Sequence, residues 1–296
     1  MKALVFGATG LIGSHLVQKL LKEGADVTGV SSGNNKKDIH SKKYHHVSVD
    51  ISKKEEFSRI KGEFDVVFNM AAHIATGYAT DDALKCLLVN AIGALNILEL
   101  MVERGIKRLI HSSSVTVYGR PRRRIAHEDS PLNPIIVYGV SKLTAENYCT
   151  MFSSLHGLAI TVLRYASVYG PGLTQRTALP IFIERAQKNE DIFLYGDGTR
   201  SQDYIYVDDV VEANILAAKK GTTGVFNIGS GEKTTMRYLA ETIIGVFGSS
   251  SRIKYDSKKP QEFSFGIDIK RAEKELGYRA RYDLRSGLEH YKKSIK

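Results

Sequence analysis

The chain has 296 residues and is 43% hydrophobic, which is enough for one large α/β core or for a core with a smaller appendage. The formal net charge is +10, and the basic residues occur in short groups along the chain. This pattern indicates either a solvated surface or attraction for an anionic ligand, and it argues against a nucleic-acid-binding arm. Two cysteines exclude a disulfide framework, and without a signal peptide or an apolar run of about 20 residues we expect a soluble cytoplasmic protein with no membrane contact and no metal site.

The first half of the chain alternates β-rich runs with helical patterns. This alternation predicts a doubly wound parallel sheet of the Rossmann type, and continuous apolar runs such as residues 66–68 are typical of strands buried on both faces. The predicted strands are residues 3–6, 26–30, 46–49, 66–69, 108–112 and 159–164, and the predicted helices are residues 11–23, 55–60, 81–104 and 140–155.

The second half is richer in turns and contains no low-complexity linker. We therefore predict a Rossmann domain of residues 1–165 that also uses about 204–228, and a smaller interleaved α/β domain of residues 166–203 and 229–296. The elements predicted here are strands at residues 204–207 and 225–228 and helices at residues 180–188, 210–218, 235–247 and 269–276.

Three glycines, Gly7, Gly10 and Gly13, follow the first strand and open the first helix. In a dinucleotide-binding turn the first glycine permits the turn, the second lets the backbone approach a diphosphate, and the third lets the helix pack on the strand. The helix N-terminus adds free N–H groups and the positive end of the helix dipole. An ordinary glycine-rich turn is the alternative, but the order of strand, loop and helix favours a dinucleotide. The residues predicted to bind it are Gly7, Thr9, Gly10, Leu11, Ile12 and Gly13.

The end of the second strand bears on which dinucleotide binds. NAD sites usually place Asp or Glu there, where it accepts hydrogen bonds from the ribose hydroxyls. This chain has Ser31 and Ser32 instead. No carboxylate repels a 2′-phosphate, and Lys36 and Lys37 follow, so the segment favours NADP. A serine also hydrogen-bonds a plain ribose, so both NAD and NADP stay open.

Asp50 and Ile51 follow the third predicted strand. An aspartate acceptor beside an apolar side chain suits the exocyclic amine and the ring of adenine. Asp50 is equally suited to capping a turn.

Tyr138 and Lys142 lie four residues apart, so on a helix they share a face. A free tyrosine has a pKa of about 10 and is a poor base at neutral pH. A neighbouring ammonium favours the phenolate and lowers that pKa. Ser114, the last residue of a serine triplet, offers a hydroxyl that can orient a substrate alcohol. With the glycine loop, these residues predict the exchange of a hydride and a proton at a carbinol carbon.

On these motifs the chain resembles the extended short-chain dehydrogenase/reductase family. The resemblance is to the branch of nucleotide-sugar epimerases, dehydratases and 4-ketoreductases, of which UDP-galactose 4-epimerase is the familiar type, and it covers nearly the whole chain. The segments that carry it are residues 7–13, 50–51, 69–73, 89–90, 112–119, 138–142, 164–172, 196–209 and 268–277.

The resemblance implies roles for the site residues. Tyr138 would be the acid/base, Lys142 would tune its pKa and bind a cofactor ribose, and Ser114 would orient the substrate hydroxyl. The second domain would bind the substrate. The implied cofactor contacts are Ser31, Ser32, Asp50, Ile51, Ala71, Ala72, Asn90, Tyr138, Lys142 and Tyr165, and the implied substrate contacts are His73, Ser167, Arg176, Arg200 and Lys259.

Several positions depart from the family pattern. Family dehydratases carry Asp-Glu after the orienting hydroxyl residue, and this chain has Val115 and Thr116, which argues against 4,6-dehydration. Three positions associated with the substrate phosphates are also altered, to Ser167, Gln202 and Lys259. The cations that remain, either to neutralise a diphosphate or as solvated surface, are Arg176, Arg200 and Lys259.

The leading hypothesis is an NAD(P)-dependent nucleotide-sugar 4-epimerase, which oxidises C4 transiently and returns the hydride to the other face of the 4-keto sugar. It would keep NAD tightly bound. The alternative is an NADPH-dependent nucleotide-4-keto-sugar reductase, which Ser31 favours. A third hypothesis is a non-catalytic sensor or RNA-binding member of the fold, and the presence of Ser114, Tyr138 and Lys142 argues against it.

The helices predicted at residues 81–104 and 140–155 resemble those that pair two subunits in this family. The resemblance therefore implies a homodimer. The apolar residues concerned, which face either that interface or the core, are Leu87, Leu88, Ile97 and Leu98.

Overall fold

The computed structural model describes residues 1–33, 39–75, 82–121, 125–256 and 264–295. The strands in these ranges are β1 (Lys2–Phe6), β2 (Asp26–Ser31), β3 (Tyr44–Ser48), β4 (Val66–Asn69), β5 (Arg108–Ser114), β6 (Ile125–Ala126), β7 (Ala159–Tyr165), β8 (Ser167–Tyr169), β9 (Ile192–Tyr195), β10 (Ser201–Gln202), β11 (Tyr204–Tyr206), β12 (Gly224–Ile228), β13 (Thr234–Thr235), β14 (Ile253–Asp256) and β15 (Gly266–Ile267).

The helices alternate with these strands through the first part of the chain. Short 3₁₀ turns occupy Lys54–Arg59 and Val115–Tyr118, and π-helical turns occupy Leu87–Ile92 and Ala272–Leu276. The α-helices are α1 (Leu11–Lys22), α2 (Ala83–Cys86), α3 (Gly93–Glu103), α4 (Val137–His156), α5 (Ala178–Gln187), α6 (Val207–Lys220), α7 (Met236–Phe247) and α8 (Leu284–Ser294).

A parallel sheet organises the molecule. Among the described residues it has seven strands, in the order β12-β7-β5-β4-β1-β2-β3, and each neighbouring pair is parallel. The strand order reverses on either side of β1, so the loops after β1 and β4 diverge at the carboxyl edge of the sheet. This is where doubly wound folds bind ligands. The predicted α/β fold class is confirmed.

The sheet is covered on both faces. Along β1, Val5 packs into the core under α1 and α6, whereas Leu4 and Phe6 pack into the opposite core under α3 and α4. All four residues of Val66–Asn69 are buried, as continuous apolar runs in a parallel strand predict.

A further apolar core lies in the second half of the chain. It joins α5, α7 and α8 to residues of β8, β9 and β11, and its buried members include Tyr169, Phe182 and Leu239. Leu11, at the start of α1, packs against this core, so the glycine-loop helix contacts the second half directly.

Two helices differ from prediction in ways that affect the site. Helix α4 starts at Val137, before the predicted residue 140, so Tyr138 lies in its first turn. Helix α8 was not predicted at all, and the predicted helix at residues 269–276 is largely a π-helical turn, Ala272–Leu276.

In the part of the chain that the structure describes, one helical segment, Ala83–Glu103, is long and apolar enough to cross a membrane by length and composition alone. Its most apolar window is 56% buried inside the protein, and Ile97 and Leu98 are fully buried in the sheet core. Burial of this kind is typical of a core helix.

Candidate active site

The glycine loop forms a tight backbone cradle between β1 and α1. The N–H of Gly7 donates a 2.8 Å hydrogen bond to the carbonyl oxygen of Val30, and Gly7 has a φ of +75°. A Cβ at Gly7 would lie 2.6 Å from the backbone nitrogen of Ala71, and a Cβ at Gly13 would lie 2.1 Å from the carbonyl oxygen of Gly7. Both positions therefore require glycine, as a close backbone turn under a diphosphate requires.

The N-terminus of α1 is available to an anion. Its N-cap residue Gly10 is exposed and makes no side-chain cap, and the first turn carries no acidic residue. Thr9, Leu11 and Ile12 are half-buried around it. Uncapped N–H groups and the helix dipole suit a diphosphate at this point, so the predicted loop residues fit a dinucleotide.

Ser31 ends β2 and is engaged by neighbours. Its hydroxyl donates to the carbonyl oxygen of Gly33 at 3.2 Å and lies 2.9 Å from Nε2 of His46 on β3. Ser32 is exposed. The two lysines in the NADP argument, Lys36 and Lys37, lie outside the described residues.

Asp50 caps a turn after β3. Its Oδ1 accepts hydrogen bonds from the backbone nitrogen of Ser52 at 3.0 Å and from the hydroxyl of Ser52 at 2.7 Å. Ile51 is buried against Gly93, where an added Cβ would lie 2.6 Å from its Cδ1. Of the two roles predicted for Asp50, the turn role is therefore present.

The loop after β4 faces the glycine loop across the divergence of the sheet. Asn69 accepts a 3.3 Å hydrogen bond from the backbone nitrogen of Ala71. Ala71 is half-buried beside Gly7, and Ala72 is exposed at the same edge. The backbone of Ala71 therefore packs closely on Gly7, so the loop after β4 and the glycine loop lie side by side at this edge.

Asn90 ties this loop to helix α4. Its Oδ1 accepts from the backbone nitrogen of His73 at 2.7 Å, and its Nδ2 donates to the carbonyl oxygen of His73 and to the hydroxyl of Ser141, both at 2.9 Å. Ser141 in turn donates to the carbonyl oxygen of Tyr138 at 2.8 Å. Asn90 lies in the π-helical turn Leu87–Ile92, and such turns are frequent at functional sites.

Tyr138 and Lys142 share one face of α4, as their spacing predicts. The Lys142 ammonium lies 5.9 Å from the centroid of the Tyr138 ring and donates to the carbonyl oxygen of Ser112 at 2.8 Å. Lys142 is 1% exposed, whereas Tyr138 is half-buried. The pair is thus a buried cation under a partly accessible phenol.

Burial shifts the pKa values of both groups. Burial lowers the pKa of Lys142 from 10.5 to about 8, and the nearby Glu146 carboxylate opposes that shift. Burial, with a smaller contribution from the nearby Cys86 thiol, raises the pKa of Tyr138 above its ordinary value. A phenolate in this site therefore needs more positive charge than Lys142 supplies in the protein alone.

Ser114 is the last residue of β5 and the N-cap of the 3₁₀ turn Val115–Tyr118. Its Oγ accepts hydrogen bonds from the backbone nitrogen of Thr116 at 3.2 Å and from Oγ1 of Thr116 at 3.0 Å. A Cβ at Gly139 would lie 2.7 Å from the carbonyl oxygen of Thr116. The glycine after Tyr138 therefore lets the start of α4 approach the turn that carries Ser114.

Tyr165 ends β7 and is 4% exposed. Its hydroxyl donates to Oδ1 of Asn214 at 3.0 Å and lies 3.8 Å from Sδ of Met70. The ring thereby bridges α6 and the loop after β4, behind the site.

Sequence reasoning missed a buried ionic network beneath the predicted catalytic residues. Arg164 donates to Glu146 at 2.6 Å from Nη2 and to the hydroxyl of Tyr118 at 3.0 Å from Nη1. Glu146 also accepts a hydrogen bond from the hydroxyl of Ser113. Since Ser113 precedes Ser114 and Glu146 follows Lys142 by one turn, the network fixes both elements of the site.

His15 links the cofactor helix to the second half of the chain. Its Nε2 lies 3.0 Å from the carbonyl oxygen of Pro171, and its Nδ1 lies 3.4 Å from the Asp208 carboxylate. The hydrogen bond with His15 holds the pKa of Asp208 below its ordinary value. The turn after β8 is thereby held against α1.

The predicted substrate residues lie in different surroundings. The ring of His73 lies 3.3 Å from the Asp82 carboxylate, and Ser167 is half-buried at the start of β8. Arg176 is 78% exposed and lies 3.5 Å from Glu184 on α5, so it lies on the surface of the second half. Arg200 is half-buried and donates to Gln202 at 3.1 Å. Lys259 lies outside the described residues.

The structure therefore brings most of the predicted catalytic and cofactor residues to one sheet edge. The turn that follows Ser114 packs against Gly139, the neighbour of Tyr138, through the carbonyl oxygen of Thr116. Lys142 donates to the carbonyl oxygen of Ser112, on the strand that ends at Ser114. This group was predicted from the Tyr–Lys spacing, the serine triplet and the family resemblance, whereas the residues that hold it in place come from distant parts of the chain.

Comparison with known proteins gives the family. Residues 3–229 match the model of the NAD dependent epimerase/dehydratase family. A putative UDP-glucose 4-epimerase of Methanocaldococcus jannaschii is 33% identical over 295 residues, which cover 97% of this chain and 95% of the relative.

Solved structures of similar fold include epimerases of this kind. A UDP-glucose 4-epimerase of Thermotoga maritima, crystallised with UDP-glucose, has a TM-score of 0.91 at 32% identity and covers 100% of this chain and 98% of its own. A UDP-glucuronic acid 4-epimerase from Bacillus cereus, in complex with UDP-glucuronic acid and NAD, has a TM-score of 0.87 at 28% identity, with coverage of 100% and 99%. The chain is therefore an enzyme of the NAD dependent epimerase/dehydratase family, within the extended short-chain dehydrogenases/reductases.

Proposed function

We propose that this enzyme is an NAD(P)-dependent nucleotide-sugar 4-epimerase. The observation that carries the proposal is the convergence of Ser114, Tyr138 and Lys142 beside the glycine cradle, at the carboxyl edge of the sheet. A phenol, a buried cation and a second hydroxyl are the groups that proton removal from a secondary alcohol needs.

The cradle fits a dinucleotide diphosphate because neither Gly7 nor Gly13 leaves room for a Cβ and the N-terminus of α1 is uncapped. Lys142 would bind the ribose next to the nicotinamide, with Tyr165 behind it. A dinucleotide held there would supply the acceptor for a hydride from the sugar carbon and the donor for its return.

The chain's own residues move and hold the proton. Tyr138 takes the proton of the sugar's C4 hydroxyl as the hydride leaves, and it returns that proton when the hydride comes back to the other face. Lys142 stabilises the phenolate form of Tyr138. Ser114 donates a hydrogen bond to the C4 oxygen throughout and keeps it in place.

The substrate proposed is a UDP-hexose. Relatives that cover 97% of the chain are described as a putative UDP-glucose 4-epimerase, a UDP-glucose 4-epimerase and a UDP-glucuronate 4-epimerase. Val115 and Thr116 occupy the positions after Ser114, and neither is a carboxylate. This supports epimerisation over the elimination of water.

We propose NAD as the cofactor, since relatives of similar fold were solved with NAD. The Ser31 hydroxyl already interacts with Gly33 and His46, and it can still accept a hydrogen bond from a ribose hydroxyl. No carboxylate stands at this position, which is the specific observation that favours the second candidate, an NADPH-dependent 4-keto-sugar reductase.

One experiment separates the two functions. Purified protein is incubated with UDP-, dTDP-, GDP- and CDP-hexoses and with their 4-keto forms, with NAD or NADPH, and the products are identified by NMR and mass spectrometry. The epimerase proposal predicts C4 inversion of a UDP-hexose without net NADPH oxidation, and NAD released when the protein is denatured. Stoichiometric NADPH oxidation with a 4-keto sugar, and no bound NAD, would establish the reductase.

We also propose that the enzyme is a homodimer. Ile97 and Leu98 face the core, but Leu84 is 67% exposed on α2 and Leu155 is 69% exposed on α4. Leu87, Leu88, Val140 and Met151 are also exposed on the same helical segments. Light scattering after gel filtration tests this, and a mass equal to one chain would contradict it.

A further inference from the structure

Ser114 has one hydrogen-bonding capacity left for a ligand. A serine hydroxyl has one O–H donor and two acceptor lone pairs. Both lone pairs are used here, since Oγ accepts from the backbone nitrogen of Thr116 at 3.2 Å and from Oγ1 of Thr116 at 3.0 Å. A ligand oxygen at Ser114 therefore meets a donor, and a ligand hydroxyl finds no free acceptor there.

Of the two hydrogen bonds that Thr116 donates to Ser114, only one depends on the side chain of residue 116. A backbone N–H at this position would be supplied by any residue except proline, so it carries no information about the side chain. The second contact comes from the threonine hydroxyl, and it is the one that fills the remaining lone pair of Ser114. The side chain at residue 116 thus determines whether the Ser114 hydroxyl can still accept a hydrogen bond from a ligand or can only donate one.

The turn that holds Thr116 also positions Tyr138. The carbonyl oxygen of Thr116 packs against Gly139, where an added Cβ would lie only 2.7 Å away. The N–H of Gly119 closes the same turn by donating to that carbonyl oxygen at 3.2 Å. Ser114, Thr116 and the first turn of α4 therefore form one packed unit.

From this geometry we propose that Thr116 is a positioning residue that fixes the Ser114 hydroxyl as a hydrogen-bond donor to the C4 oxygen of the sugar. The proposal rests on the 4-epimerase function proposed above. Because Ser114 is prevented from accepting the C4 proton, that proton goes to Tyr138. The same donor stabilises the negative charge that develops on the C4 oxygen in the transition state.

The test compares Thr116→Val with Thr116→Ser. Valine keeps the β-branched shape and loses the hydroxyl, whereas serine keeps the hydroxyl. Thr144→Val is a matched control, because Thr144 lies on α4 and its hydroxyl donates to the carbonyl oxygen of Val140. We expect Thr116→Val to lower kcat for C4 inversion about 10-fold, with KM unchanged, because the lost contact acts on the transition state. Thr116→Ser and Thr144→Val should match wild type.

A double-mutant cycle distinguishes positioning from a general effect on folding. In a Ser114→Ala background, Thr116→Val should cause no further loss of kcat, since the hydroxyl through which it acts is gone. The proposal is overturned by wild-type kcat in Thr116→Val, or by an equal fall in both backgrounds. An inactive wild-type enzyme with every nucleotide sugar would instead refute the 4-epimerase function, and this inference with it.

Discussion

Lys142 donates a 2.8 Å hydrogen bond to the carbonyl oxygen of Ser112, two residues before Ser114 on the same strand. This bond joins the helix that carries Tyr138, the proposed base, to the strand that carries Ser114, the proposed orienting hydroxyl. The ammonium is buried, and burial holds its pKa at about 8. The fold therefore keeps a cation where burial disfavours one, which is the pattern expected if the proposed chemistry at Tyr138 uses positive charge nearby.

Replacing the phenol tests the role of Tyr138. Tyr138→Phe removes the hydroxyl that exchanges the proton, and we expect kcat to fall at least about 100-fold with little change in thermal stability. Initial rates of C4 inversion measure this, and circular dichroism checks the fold. Tyr148→Phe, on the same helix, is the control and should keep wild-type kcat. Undiminished turnover by Tyr138→Phe would show that another group moves the proton.

Removing the buried ammonium should stabilise the protein while abolishing activity. The lowered pKa of Lys142, from 10.5 to about 8, corresponds to about 3 kcal/mol of unfavourable free energy at pH 7. The unfolded chain binds this proton more tightly, so the penalty is full below pH 8 and fades as pH rises toward 10.5. Lys142→Met should therefore be more stable than wild type in urea at pH 7, with a smaller advantage at pH 9.5.

Two results of the stability measurements at pH 7 and pH 9.5 would contradict the predicted effect of Lys142→Met. A Lys142→Met variant that is less stable than wild type at pH 7 would mean that the hydrogen bonds to Ser112 outweigh the cost of burying the charge. An advantage that does not change between pH 7 and pH 9.5 would mean that titration of Lys142 is not its source.

Much of the fold was predictable because parallel strands buried on both faces are continuous apolar runs. The predicted strand at residues 66–69 coincides with β4, and the glycine spacing located the loop after β1. Helix α8 was missed because Gly287 lies within it and lowers its helix propensity. A Cβ there would lie 2.0 Å from the hydroxyl of Tyr169, so only the tertiary fold shows why glycine is present.

In the candidate site too, local sequence patterns predicted some residues, whereas others are brought together only by the tertiary fold. Tyr138 and Lys142 were found from spacing, since both are on one helix. The network of Arg164, Glu146 and Ser113 joins residues far apart in sequence, and no local pattern reports it. The one available signal was that Glu146 follows Lys142 by four residues and so shares its helix face.

Breaking this network should destabilise the protein strongly. Glu146→Gln leaves the Arg164 guanidinium buried without its countercharge, and we expect a loss of about 3–5 kcal/mol in the free energy of unfolding. Glu241→Gln is the control, because its pair with Arg237 is largely exposed and its loss should leave stability nearly unchanged. Urea denaturation measures both. Equal small losses would show that the buried pair is replaceable by neutral hydrogen bonds.

A methyl group in the glycine cradle should disrupt dinucleotide binding. Gly13→Ala places a Cβ 2.1 Å from the carbonyl oxygen of Gly7, so the loop must shift, and we expect a loss of about 1–3 kcal/mol in stability together with weaker NAD binding. Gly245→Ala, in α7, meets no atom within 4 Å and should be neutral or slightly stabilising. The NAD released per chain when each purified variant is denatured measures binding, and an NAD content in Gly13→Ala equal to that of wild type would exclude the cradle as the dinucleotide site.

In the proposed reaction one hydride leaves C4 and returns to the opposite face of the same sugar. The direct measurement is an NMR time course with UDP-glucose that carries deuterium at C4. We predict UDP-galactose that retains the deuterium at C4, with no net reduction of NAD and no exchange with solvent hydrogen. Loss of the deuterium to solvent, or inversion without label at C4, would contradict the account.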